Sequence, residues 1–249
     1  TASSIFGFGA SRTMQIAQRL FQGVEIDGET TGLITYMRTD STDLSKEAVD
    51  SYRKFINDNF ASSYLPKEIR TFKSKKAKNA QEAHEGIRPT DVLRKPEEMK
   101  KYLDTDGFKL YDLIWKRSLA SQMNSATFER TTISISSEDD SLKLRANGSI
   151  QTFDGYLNIY SEFNNKSDER DLDVAEEDKN LPIINLKDKI EQVEALSTQH
   201  FTLPPPRYSE ATLVKKLEEL GIGRPSTYAS IISVLKMRNY VEVEKNRFI

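Results

Sequence analysis

A tyrosine and an arginine two residues apart, Tyr36 and Arg38, are the pair in this sequence best suited to attack a phosphodiester. A phenolic oxygen can serve as the nucleophile, and a planar guanidinium can hold phosphate oxygens in a fork. Both lie in Gly32-Leu33-Ile34-Thr35-Tyr36-Met37-Arg38-Thr39-Asp40-Ser41. The first half reads as a strand, because Leu33, Ile34, Thr35 and Tyr36 are apolar, β-branched or aromatic. The second half is polar. A buried strand that runs out into a charged loop is a common mount for reactive groups. Period-2 alternation places Ile34, Tyr36 and Arg38 on one face. By residue type alone a second reading stays open. A strand tyrosine is commonly a core residue, and an arginine commonly faces solvent.

A second polar stretch, Gln81-Glu82-Ala83-His84-Glu85-Gly86-Ile87-Arg88-Pro89-Thr90, carries one of the two histidines. A zinc-protease helix needs a second histidine four residues on, but position 88 is arginine and Pro89 ends any helix, so that chemistry is excluded. A basic run from Lys67 to Lys78 precedes this stretch and suits either a solvated loop or phosphate contact. Near the end of the chain, Gly223-Arg224-Pro225-Ser226-Thr227 opens a helix. Arg224, Ser226 and Thr227 then stand at a helix N-terminus, where backbone N–H groups favour phosphate.

The chain has 249 residues, no cysteine and a net charge of −2, so any nucleic-acid site must be a local patch rather than a global basic field. Without cysteine there is no disulfide, thiolate metal site or cysteine nucleophile. No apolar run reaches the ~18 residues of a membrane span. The lack of cysteine fits a reducing cytoplasm. The chain opens at Thr1 and is read as a piece of a longer protein.

The remaining elements follow from periodicity. Ser11 is the expected cap of a helix with Met14, Ile16, Ala17, Leu20 and Phe21 inward, stopped by Gly23. Asp27-Gly28 is a tight turn between short strands. Ala48, Val49, Tyr52, Phe55 and Ile56 stripe a helix from Ser45 to Phe60, and a third helix runs from Lys109 to Met123. From Ala126 alternating residues give antiparallel strands, with a turn at Asn147-Gly148. Glu162 to Lys179 is acidic and reads as a surface loop, and Ile183 to Val193 reads as a strand. Ser209 caps a helix with Leu213, Val214, Leu217 and Leu220 inward, closed by Gly221. A second helix buries Tyr228, Ile231, Ile232 and Leu235, and a strand starts at Tyr240. Helix, turn, helix and strand give a winged-helix outline.

Three stretches, in this order, resemble the signatures of the type IA DNA topoisomerases. Ile-Thr-Tyr-Met-Arg-Thr-Asp-Ser is similar to the active-site signature. His-Glu-Gly-Ile-Arg-Pro-Thr is similar to the second, with Gly86 where alanine is common, a change expected to loosen the backbone. Tyr208 to Ala229 is similar to the third. The resemblance implies an α+β multidomain core: a tyrosine domain over 1–125, a strand-rich arch segment over 126–200 and a helical DNA-groove module over 201–249. It implies that Tyr36 forms a 5′-phosphotyrosyl link, that Arg38 contacts the scissile phosphate and that His84 assists. Arg88, Arg224, Ser226 and Thr227 are expected to bind DNA. The implied activity relaxes negative supercoils without ATP, on single-stranded and negatively supercoiled DNA, as a monomer. Magnesium serves the whole enzyme, with ligands expected outside this chain. Asp171-Leu172-Asp173-Val174-Ala175 fails the acidic metal motif at Ala175, so no metal site is assigned here and the piece alone is expected to be inactive. The competing reading is a non-catalytic single-strand DNA-binding module with a structural tyrosine. A site-specific recombinase is disfavoured, because its tyrosine lies near the C-terminal end.

Overall fold

A computed structural model describes residues 1–39, 41–72, 85–137, 139–164, 181–182, 184–186, 188–190, 194, 196–197, 199, 201–244 and 246–249. Its elements are, in order, α1 (Ala2–Phe6), α2 (Ala10–Gln22), β1 (Val24–Ile26), β2 (Glu29–Thr31), α3 (Lys46–Asn59), α4 (Pro96–Met99), α5 (Thr105–Ser121), β3 (Thr127–Ser136), β4 (Lys143–Phe153), α6 (Leu157–Asn164), α7 (Glu210–Glu219), α8 (Tyr228–Met237), β5 (Val243–Glu244) and β6 (Arg247–Phe248). The class is mixed α+β. Contacts gather Thr1–Ala126, Asp154–Glu169 and Tyr208–Ile249 into one unit, and Thr127–Phe153 with Arg170–Arg207 into another. Among the described residues, no helix is long and apolar enough to cross a membrane. Asp40, Lys73 to Lys78, His84 and Asp171 to Ala175 lie outside the described residues.

In the first unit, α2, α3 and α5 each turn an apolar stripe toward one core. Helix α2 buries Ile16, Ala17 and Leu20 and stops at Gly23, whose φ of 121° suits glycine. Its cap is Gly9 rather than the expected Ser11. The reason is distant in sequence: the Ala10 N–H donates to the Glu210 carboxylate at 2.6 Å, so no local hydroxyl is needed. The α3 stripe is the expected one, with Ser45 accepting from the Ala48 N–H at 3.2 Å. Helix α5 starts earlier than its periodicity suggests, because the Asp104 carboxylate accepts from the Gly107 N–H at 2.7 Å. Trp115 is buried, donates to the Val92 carbonyl at 3.0 Å and meets the Phe55 ring edge-on. The β1–β2 turn has Asp27 at φ 50° and Gly28 at φ 91°, the paired positive angles of a tight hairpin.

The expected surface loop from Glu162 begins too soon, since α6 is helical through Asn164. Tyr160 and Phe163 explain it: their rings lie 5.4 Å apart, and Phe163 meets Phe6 edge-on at 6.2 Å. The winged-helix outline is present in α7, α8 and the β5–β6 hairpin. Ser209 and Thr212 form a reciprocal capping box. Leu220 was expected to face inward but is 60% exposed, because α7 ends at Glu219 and the chain turns at Gly221 with φ 69°.

In the second unit, β3 and β4 form a single long antiparallel hairpin. The expected turn at Asn147-Gly148 is wrong. Both residues sit mid-strand, opposite Thr132 and Thr131. The chain reverses between Ser136 and Lys143, where Asp139 accepts from the Ser137 and Ser141 hydroxyls at 2.5 and 2.8 Å. Those bonds hold the Asp139 carboxyl down to about 2. Asp140 supplies the positive φ, 56°, that the turn requires. The expected strand from Ile183 is also absent among the described residues. Instead the Asn185 N–H donates to the Asp188 carboxylate at 2.8 Å, which closes a turn there.

Leu33 is fully buried (0% exposed), whereas Leu142 beside the hairpin turn is 67% exposed. Leu33→Ala should therefore lower unfolding stability by about 2–5 kcal/mol through lost burial and a residual cavity. Leu142→Ala should stay within about 0.5 kcal/mol of the parent. Urea unfolding of both variants checks the difference.

Candidate active site

Three backbone segments are hydrogen-bonded together next to Tyr36, through its neighbour Thr35: 32–38, 41–45 and 85–90. The first passes tightly over the end of α2. The Leu33 N–H donates to the Leu20 carbonyl at 2.8 Å. A Cβ on Gly32 would lie 2.8 Å from the Phe21 carbonyl oxygen, so glycine is required at that crossing. Ile34 then pairs with Pro89 in an isolated antiparallel bridge, not in the full strand that the sequence suggests. The bridge is flanked by bonds from the Thr90 N–H to the Leu33 carbonyl at 3.0 Å and from the Thr35 N–H to the Arg88 carbonyl at 2.9 Å. Each flanking pair would normally exchange two bonds. Here one of each is diverted: the Leu33 N–H goes to Leu20, and the Arg88 N–H goes to the Thr35 hydroxyl at 3.0 Å. Pro89 is tolerated because a residue in a non-hydrogen-bonded pair points its nitrogen away from its partner.

The face assignment also changes. Leu33, Ile34 and Met37 are all buried, while Tyr36 and Arg38 are exposed. Ile34 therefore does not share a face with Tyr36. Tyr36 is 37% exposed and its ring rests edge-on against Phe21 at 5.4 Å. Two other tyrosines of this unit, Tyr52 and Tyr111, are buried, and burial pushes their hydroxyls well above the usual range.

Gly86 does not loosen its segment. Its N–H donates to the Asp43 carbonyl at 2.8 Å, and its carbonyl accepts from the Thr35 hydroxyl at 2.9 Å. A Cβ there would lie 3.3 Å from the Ser41 and Asp43 carbonyl oxygens. Glycine lets 85–87 lie close against 41–43. Arg88, expected at DNA, directs its fork inward within this loop. Its Nε and Nη2 donate to the two Glu85 oxygens at 2.5 and 3.0 Å, and its Nη1 donates to the Pro89 carbonyl at 2.9 Å. Glu85 also accepts from the Ser45 N–H at 2.8 Å, which ties the loop to the start of α3. Burial alone would raise the Glu85 carboxyl. The Arg88 and Ser45 hydrogen bonds outweigh it and hold the group below the ordinary carboxylate value.

Arg224, Ser226 and Thr227 lie in the turn before α8 rather than in its first helical turn. The Thr227 hydroxyl accepts from the Arg224 N–H at 2.9 Å and donates to its carbonyl at 3.1 Å, so it shapes the turn. A cavity of about 350 Å3 is lined by Thr39 from the tyrosine segment, by Ala10 and Thr13 from α2, and by Pro225, Tyr228 and Ala229. Thr39, Pro225 and the start of α8 thus face one space. His84 lies outside the described residues. Among the described residues, no three His, Asp or Glu side chains cluster as metal ligands. Sequence reading missed Thr35, Glu85 and Phe21. The paired Glu85 and Arg88, three apart and flanking Gly86, were a usable signal for an internal ion pair.

A family model described as DNA topoisomerase matches residues 1–249. The chain is 52% identical to DNA topoisomerase 1 of Rickettsia bellii over 248 residues, covering 100% of this chain and 30% of that protein. It is 43% identical to DNA topoisomerase 1 of Xylella fastidiosa (strain Temecula1), covering 99% of this chain and again 30% of the relative. The structure of full-length topoisomerase I from Thermotoga maritima aligns with a TM-score of 0.73 at 35% identity, over 99% of this chain and 38% of that one. The chain therefore spans about 30% of the length of the relatives it matches in sequence. Agreement between a family match over every residue and a shared fold at this identity places the protein: it belongs to the bacterial type IA DNA topoisomerases.

Proposed function

We propose that Tyr36 is the nucleophile of transient single-strand DNA cleavage. Its phenolic oxygen attacks a backbone phosphorus, the O–P bond to tyrosine forms, and the bond to the 3′ oxygen breaks. The phenol gives up its proton and the leaving 3′ oxygen gains one. After a second strand passes, the 3′-hydroxyl attacks the phosphotyrosine and the steps reverse. The phosphodiester's energy is kept in the covalent link, so no ATP is needed. Arg38 neutralises charge that builds on the phosphorane oxygens, and His84 is assigned a supporting donor role. Arg224 and Ser226, on either side of the cavity-lining Pro225, are read as DNA contacts. Thr227 shapes the turn that presents them, and Arg88 acts through the loop it fastens. Single-stranded and negatively supercoiled DNA are the proposed substrates, and relaxation is the proposed outcome. Magnesium is assigned to the whole enzyme, with ligands outside this chain.

The observation that carries the proposal is the placement of Tyr36. It is an exposed side chain two residues beyond the buried pair Leu33 and Ile34, with Arg38 also exposed beyond the buried Met37. A core residue would not be so placed. Tyr36→Phe removes one oxygen and keeps the ring against Phe21. In the complete polypeptide that carries these residues, it should abolish the gel-stable adduct with labelled single-stranded DNA and leave binding intact. An adduct that persists removes Tyr36 from the role, and unchanged binding with no adduct in the parent favours the binding-module reading.

Arg38→Lys keeps the charge and loses the fork. Single-turnover cleavage should slow by the equivalent of about 2–4 kcal/mol, the cost of one such donor, with affinity nearly constant. If affinity falls and the cleavage rate does not, Arg38 only anchors DNA.

A further inference from the structure

We infer that Thr35 is a positioning residue that sets the point at which Tyr36 leaves the core and registers it against the 85–90 loop. The inference rests on Tyr36 being the nucleophile. Thr35 makes three hydrogen bonds to one short segment. Its N–H donates to the Arg88 carbonyl at 2.9 Å. Its hydroxyl accepts from the Arg88 N–H at 3.0 Å and donates to the Gly86 carbonyl at 2.9 Å. A second acceptor, the Arg88 carbonyl, lies 3.5 Å from the same hydroxyl and is too distant to compete.

The middle bond decides the backbone path. In a regular antiparallel pair, the Arg88 N–H would be bound by the Thr35 carbonyl, and the ladder would run on past Tyr36. The hydroxyl of the same residue intercepts that donor. The ladder ends after one bridge, and the chain beyond Thr35 turns out to an exposed Tyr36. The loop that Thr35 grips is itself tied on its other side: Glu85 binds the Arg88 fork and the Ser45 N–H, and the Gly86 N–H donates to the Asp43 carbonyl. One hydroxyl therefore fixes both the exit of the nucleophile and the loop beside it. That loop continues in sequence into His84.

Valine has the shape of threonine without a donor or acceptor. At position 35 it would strand the Gly86 carbonyl and release the Arg88 N–H to the main-chain carbonyl, which lengthens the ladder and re-aims Tyr36. Serine keeps the hydroxyl. The experiment uses the complete polypeptide and labelled single-stranded DNA at saturating concentration. It compares the parent with Thr35→Val, Thr35→Ser and Tyr36→Phe for adduct formation in a single turnover, for DNA affinity and for thermal midpoint. Thr35→Val should slow adduct formation by on the order of 10²-fold, the effect of a displacement near 1 Å, with affinity unchanged. Thr35→Ser should restore most of the rate. Three results overturn the inference: a valine variant that cleaves at the parent rate, a loss of rate matched by an equal loss of affinity, or a serine variant as slow as valine. If the valine variant does not fold, amide exchange in the parent decides. The Arg88 N–H should be as protected as the Thr90 N–H, and loss of its protection in Thr35→Ser would overturn the claim. An adduct in Tyr36→Phe would instead overturn the role of Tyr36, which is a separate failure.

Discussion

Leu33 and Ile34 are adjacent and both are buried, which a strand with one wet face does not allow. Each buried aliphatic side chain contributes about 1.5–3 kcal/mol relative to exposure. Together they outweigh any single hydrogen bond in the segment, which nets about 1 kcal/mol. The core therefore grips the chain on both faces at 33–34, with Met37 returning to it three residues later. Between those two anchors only Thr35 and Tyr36 have freedom. The rest of the site depends on how that short span is disposed.

Polar groups settle the span because the choice there is between partners, not between a bond and none. The Leu33 N–H can bond to Thr90 or to Leu20, and the Arg88 N–H can bond to the Thr35 carbonyl or its hydroxyl. Either choice satisfies the donor, so the energy difference is small and local sterics decide. Gly32 admits the Phe21 carbonyl at a distance that a side chain would forbid, and that brings Leu20 within reach of Leu33. At Gly86 a Cβ would be tight rather than forbidden, 3.3 Å from the Ser41 and Asp43 carbonyl oxygens. Gly32 and one hydroxyl thus cut a potential strand down to one bridge, and the exposed Tyr36 is the result.

This explains what could be read from the sequence. The helices around the core were legible, because their stripes are regular and caps such as Ser45 are local. So was the Asp27-Gly28 hairpin, and so were Tyr36 and Arg38 as a pair. The strand at 33–36 was overread: alternation was assumed where burial on both faces applies. Asn147-Gly148 misled because its turn propensity was weighed alone. A run of six polar residues from Ser136 to Ser141, with Asp139 able to bind two neighbouring hydroxyls, makes a better reversal at the end of β3. The grip of Glu85 on Arg88 was legible in spacing but not in direction, since an arginine beside a proposed phosphate site reads first as a ligand for it. The true cap of α2 was out of reach of any local rule.

That cap shows how the two ends of the first unit are joined. Glu210 opens α7, and its carboxylate takes the Ala10 N–H at the start of α2, 200 positions away in sequence, and pairs with the Lys236 ammonium from α8. Gly9 leaves room for it, since a Cβ there would lie 2.8 Å from a Glu210 oxygen. Burial pushes the Glu210 carboxyl up, but Lys236 and the Ala10 N–H more than offset this and hold it below the ordinary value. An ionised carboxylate at a helix N-terminus is favoured by the backbone dipole as well as by the cation. The same charge thus closes α2, starts α7 and engages α8, so the helical module is fastened at the helix that leads into the tyrosine segment. Thr39 and Pro225 come to line one cavity because of that junction, not because either stretch carries the instruction alone.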